Sequence, residues 1–166
     1  KSMSLINKIT VLLFCLLIVS EASAQEIKKV GKFKDWETIV VTDGTKKLCF
    51  AQSKPVLQSP KKNPREARLF ISFRPADKIK DEVSITSGYQ YNTQNSITAK
   101  SGKNKIKFDV KKENFAWIGD TSLERKMVNV MKKGSRIMIT GYNQSGSQTI
   151  DHYSLICLLY TSPSPR

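Results

Sequence analysis

Along residues 68–74 apolar and polar positions alternate: Leu69, Ile71 and Phe73 fall on one side, Arg68, Phe70, Ser72 and Arg74 on the other. A period of two marks a half-buried β-strand. The β-branched run Trp36–Thr42 predicts another strand, Asp43-Gly44 a hairpin turn, and Lys46–Gln52 the return strand. Further strands are predicted at Asp81–Thr86 (Val83 and Ile85 inward), Asn95–Lys100, Lys103–Val110, Phe115–Ile118, Arg136–Tyr142 and Thr149–Ile156. Ser87-Gly88-Tyr89, Ser101-Gly102 and residues 143–147 read as turns, and Ser53–Glu66, with Pro55, Pro60 and Pro64, as an exposed loop. One segment has the helical period: Leu123, Met127, Val130 and Met131 fall on a single face. Thr121-Ser122-Leu123-Glu124 predicts a capping box with the threonine hydroxyl as cap, and Gly134 a left-handed stop. Lys132 and Lys133 suit the helix's negative end. About eight strands and one short helix, at about 121–133, predict a mainly β single domain: an antiparallel β-sandwich or partly closed barrel.

The amino-terminal pattern is different. Lys8 precedes an unbroken apolar run from Val11 to Val19, followed by Ala22-Ser23-Ala24. Those are the basic, apolar and cleavage-site parts of a secretory signal peptide. The run is too short for a membrane span, which needs roughly 20 residues. The reading is a signal peptide over 1–24 (with Met3 as start), a mature domain from Gln25, and no transmembrane span after cleavage. Leu13-Phe14 before Cys15 do not fit a lipidation signal. Residues 157–166 read as a translated sequencing adapter, which puts the domain at 25–156 and the true C-terminus elsewhere.

Charge then narrows the partners. The 166-residue chain has 28 Lys+Arg against 14 Asp+Glu. Without Lys1, Lys8, Arg166 and Glu21, the segment 25–156 keeps 25 basic and 13 acidic side chains, a net +12. Such a balance suits an anionic partner: nucleic acid, a membrane surface or an anionic polysaccharide. The lysines are scattered in pairs, and the arginines are few: Arg65, Arg68, Arg74, Arg125 and Arg136. Few arginines and an extracytoplasmic address argue against nucleic acid. A merely solvated lysine surface is the plain alternative.

Catalytic and metal chemistry find little material. His152 is the single histidine of the chain. In Asp151-His152-Tyr153-Ser154 a strand would place His152 and Ser154 on one face and Asp151 on the other, which makes no triad. With Cys49 the one cysteine between residues 25 and 156, no zinc set can form. No cofactor, metal or catalytic residue is expected. Trp36 and Trp117 are expected in the core, and Tyr89, Tyr91 and Tyr142, beside turns, at the surface. Tyr91 with Lys100, and Tyr142 with Arg136, are conceivable ligand contacts.

Phe33-Lys34-Asp35-Trp36, Cys49-Phe50-Ala51-Gln52, Arg68–Arg74, Glu82–Tyr89, Ala116-Trp117, Met131–Gly134 and Gly141 through Thr149–Leu155 follow one another in order. This ordered set resembles the invasion-associated locus B family of exported bacterial proteins, over nearly all of 33–156. The matching positions include Trp36, Cys49, Gly88, Tyr89, Trp117, Gly134, Gly141, Asp151, Tyr153 and Ser154. The resemblance implies a secreted or periplasmic β-rich domain, defined by no catalytic site and named for host-cell invasion. Where the family tends to carry a cysteine shortly after the tryptophan, this chain has Val40-Val41, and the family's closing cysteine segment is replaced by 157–166. The pairing of Cys49 is left open.

The expected function is a non-enzymatic, exported envelope or surface interaction protein that binds anionic envelope polymers or a protein partner. Lys61, Lys62, Arg65, Tyr89, Tyr91 and Tyr142 are its candidate binding surface, with Ser53–Glu66 and Tyr89–Asn95 as specificity loops. The alternatives are a periplasmic small-ligand or glycan-binding module, and an envelope enzyme of unknown class.

Overall fold

The computed structural model describes residues 25–156. The segment 1–24 read as a signal peptide, Cys15, Cys157 and the segment 157–166 read as an adapter lie outside the described residues. Among these residues two antiparallel sheets and one α-helix make a sandwich-like fold with no closed barrel. The larger sheet holds β1 (Glu26–Phe33), β2 (Trp36–Asp43), β3 (Lys46–Ser53), β5 (Arg68–Arg74), β6 (Ile79–Thr86), β10 (Phe115–Trp117) and β9 (Val110–Lys112), in that spatial order. The smaller holds β4 (Leu57–Ser59), β12 (Gln148–Ser154), β11 (Arg136–Tyr142), β7 (Ile97–Ser101) and β8 (Asn104–Phe108).

The alternation in β5 sets the register of the core. Leu69 and Ile71 are fully buried and lie opposite Ile85 and Val83 of β6. From the smaller sheet come Ile97, Phe108, Ile137, Ile139 and Tyr153, all in the same cluster. Burying one such aliphatic side chain contributes about 1.5–3 kcal/mol. Trp36 ties the layers together: it is wholly buried, and its Nε1–H donates to the Ser154 carbonyl at 2.8 Å.

Three strands were not expected. β1 pairs with β2 through a bulge between Lys29 and Gly31, and nearly all its residues are exposed, so it has no hydrophobic period to read. β4 lies inside the proline-rich segment and pairs with β12; β9 is three largely exposed residues.

The helix α1 (Thr121–Lys133) packs on β6 and β8 and covers one edge between the sheets. Its cap is Asp120, not Thr121: the carboxylate accepts from the Ser122 and Leu123 N–H groups, each at 2.8 Å. A charged acceptor at the positive end of a helix outcompetes a hydroxyl. Glu124 does not reach back either. It turns inward and accepts from the Val83 N–H at 2.8 Å, pinning the helix to β6. The buried stripe is therefore Glu124, Met127, Val128 and Met131, while Leu123 remains 44% exposed. Gly134 closes the helix in an extended rather than left-handed conformation, its N–H donating to the Val130 carbonyl at 3.0 Å, and a Cβ there would meet Ser101 Oγ at 2.8 Å.

Trp117 is not a core residue. It is half-buried on the outer face of the larger sheet, stacked on Phe115 with ring centroids 5.9 Å apart. Phe115, Phe70 and Phe50 continue this row at 6.1 and 5.9 Å, leaning over the small residues Ser84 and Thr86 of β6. The rings shield these hydroxyl residues, which become buried although they face away from the other sheet.

Candidate functional site

Two clusters of cations differ in what answers their charge. The first surrounds Arg65. Its guanidinium binds the Asp151 carboxylate through both terminal nitrogens, at 2.7 and 3.0 Å, and donates to the Ser87 carbonyl at 2.9 Å. The Asp151 side chain is 1% exposed and that of Arg65 11%. Gln58 on β4 holds both partners: its amide donates to Asp151 at 3.1 Å and accepts from the Arg65 N–H at 3.1 Å. The guanidinium also lies 5.6 Å from the Tyr89 ring centroid.

The tyrosines complete this knot. Tyr91 is 6% exposed and its hydroxyl donates to Ser87 at 2.9 Å; Tyr89 shares a 2.6 Å hydrogen bond with Thr149. Burial pushes the hydroxyls of Tyr89, Tyr91 and Tyr153 above the usual tyrosine range. Gly88 has a positive φ of 78°, and a Cβ there would meet the Glu66 nitrogen at 2.8 Å. A Cβ on Gly141 would strike the Tyr89 hydroxyl at 2.8 Å. So Arg65, Tyr89 and Tyr91, expected on a binding surface, are parts of an internal polar lock.

Of the other expected surface residues, Lys61 and Lys62 are exposed, and Tyr142 is half-buried with its hydroxyl accepting from Gln148 at 3.2 Å. Tyr142 and Arg136 stand at opposite ends of β11 and cannot share a ligand group. Tyr91 is too buried to meet a ligand beside the exposed Lys100. In the loop Tyr89–Asn95, the Lys111 ammonium donates to the Asn92 and Asn95 carbonyls at 2.8 and 2.9 Å. Asp151 and His152 face opposite sides of β12; Asp151 belongs to Arg65, and His152 Nδ1 has no hydrogen-bond partner. Cys49 is half-buried on β3, opposite Val40 and Phe73, and has no disulfide partner among the described residues. Among the described residues no group of His, Cys, Asp and Glu could hold a metal ion.

The second cluster lies beside α1. A surface groove of about 980 Å³ runs between the helix, the β7–β8 turn and the start of β11. Ser122, Arg125, Lys126, Asn129, Val130 and Lys133 line one wall. Their spacing makes them a second stripe of the helix, next to the one that packs inward. Lys103 and Arg136 bring charge from the other elements. The walls are braced: Ser101 Oγ donates to the Arg136 carbonyl at 2.9 Å, and the Leu155 N–H to the Ser135 carbonyl at 2.9 Å. No carboxylate lines the groove, and none of its five cationic side chains forms an ion pair among the described residues.

A smaller cleft of about 600 Å³ offers a control within the same molecule. Lys29, Lys32, Lys34, Lys54 and Arg68 line it, but so do Asp35 and Glu37. Lys29 binds Glu37 at 2.9 Å and, with the Gln52 amide, holds that carboxyl below the usual range. Part of its positive charge is answered from within, by two carboxylates against five cations. That of the helix groove is not.

No protein-family model matches the chain, and no curated protein or solved structure is significantly similar to it. The site thus stands on its own geometry. Sequence reading missed the groove because Lys132 and Lys133 looked like ordinary helix-end charges. The signal was the spacing of Arg125, Lys126, Asn129 and Lys133, which puts donors on one helical stripe.

Proposed function

We propose that this is a non-enzymatic, exported envelope-interaction protein, and that it attaches to anionic envelope polymers through the groove beside α1. The observation that carries this reading is the groove's uncompensated charge: five cationic side chains around one depression, with no carboxylate among its lining residues. Like charges held close together repel, and a bound polyanion relieves that repulsion. The export half rests on the signal-peptide pattern of residues 1–24, and the family half on the ordered motifs that resemble invasion-associated locus B proteins. No helix among the described residues is long and apolar enough to cross a membrane.

The test is co-sedimentation of the purified protein with bacterial envelopes across a salt series. Binding at low salt that is lost towards 1 M, where the screening length falls to about 3 Å, is the expected result. Binding that ignores salt would contradict electrostatic attachment.

A further inference from the structure

We infer that the groove beside α1 takes phosphoryl groups carried on a polymer, two or more at a time, in preference to carboxylates or neutral sugars. This rests on the attachment reading above and adds the chemistry of the ligand.

Cations stand on both sides of the groove: Arg125, Lys126 and Lys133 on the helix, Lys103 and Arg136 across from it. An anion seated between them is held from two directions. Ammonium and guanidinium groups donate and never accept, and the oxygens of an ionised phosphoryl group accept. A neutral sugar brings no charge to offset the five cations, and neither a carboxylate nor an aromatic face lines the groove among the described residues to strengthen its hold. A uronic-acid polymer brings one charge per carboxylate beside its hydroxyl donors, and only Ser and Asn side chains there could accept them.

Charge and size fix the number of groups. A phosphomonoester carries about −1.5 to −2 at pH 7, so five cations are matched by about three such groups. A groove of about 980 Å³ has room for more than a single inorganic phosphate. Two other phosphate carriers fit poorly. A membrane-surface binder buries an apolar face, and among the described residues Val130 is the single apolar side chain of the lining. A nucleic-acid strand seeks aromatic platforms for its bases, and none lines the groove.

The experiment is titration calorimetry of the full chain with inorganic polyphosphate, polygalacturonate, dextran and phosphatidic-acid vesicles, at matched charge. Polyphosphate should bind at least about tenfold more tightly than polygalacturonate, and dextran should give no signal. The variant R125Q/K126Q/K133Q should lose about tenfold or more, and its log K against log salt slope should shrink by about 2 to 3. K28Q/K46Q/K47Q, with the same net charge but its changes outside the groove, should lose less than about threefold. Far-UV circular dichroism confirms that both variants fold. Equal binding of polygalacturonate, or tighter binding to vesicles than to polyphosphate, would overturn the inference while leaving attachment standing; equal losses in the two variants would overturn the groove as the attachment site, and with it both readings. Absence of any polyanion binding at low salt would overturn both.

Discussion

The knot around Arg65 and the groove beside α1 use the same kinds of cation under opposite conditions. Arg65 sits nearly out of water, and every strong contact it makes is to its own chain: Asp151, Ser87 and the face of Tyr89. Arg125 and Lys126 are exposed, and no carboxylate lines the groove they flank. Charge buried with its counter-charge is spent on structure; charge left at the surface without one is free for a partner. The difference separates two roles that a count of lysines and arginines cannot. It also explains why Gly88 and Tyr89 meet Gly141 and Asp151, far along the chain: together they build the lock.

The contrast can be broken by exchanging which region a substitution touches. The largest effect is expected from Arg65→Met, which leaves Asp151 buried without its counter-charge and should cost about 3–5 kcal/mol. Urea denaturation measures it, and the double variant R65M/D151L should recover much of the loss. A loss below 1 kcal/mol would mean that the knot is not a lock. Trp36→Phe comes next. It removes the one indole bond between the layers, leaving the Ser154 carbonyl unsatisfied, and should cost about 1–3 kcal/mol.

Glu124 gives a smaller, pH-dependent effect. Burial raises its carboxyl above the usual value of 4.5, against the Val83 N–H that favours the charge. The folded chain therefore binds this proton more tightly than the unfolded chain does. Stability should fall as pH rises from the ordinary glutamate value through the raised folded one, then level off. Glu124→Gln keeps an acceptor for Val83 and should flatten that part of the pH profile; an unchanged profile would refute the assignment. Smallest of all is the effect of R125Q/K126Q/K133Q on stability, within about 0.5 kcal/mol, because the replaced side chains are exposed and make no ion pair among the described residues. The same three changes should abolish most polyanion binding.

Much of the fold was legible where burial follows a period. The alternation of Leu69 and Ile71 gave β5 its inward face, and the Val83–Ile85 pair gave β6 the same. The helix was legible in extent but rotated by one position, because a buried carboxylate at Glu124 broke the apolar pattern that marks a core face. β1 was not legible at all, since an exposed edge strand is held by backbone hydrogen bonds that leave no trace in side-chain hydrophobicity. The lock was hidden for another reason: Arg65 and Asp151 are 86 residues apart. Half of the groove could be read as a helical stripe, but Lys103 joins it only through the fold, from the β7–β8 turn, and Arg136 where the chain leaves the helix for β11.

The most direct measurement is an amide chemical-shift map of the protein titrated with inorganic polyphosphate. Shifts confined to residues 101–104 and 122–136, with residues 58–66 and 87–91 unmoved, are what the account predicts. Shifts centred on Lys61 and Lys62, or spread evenly over every lysine-bearing strand, would contradict it.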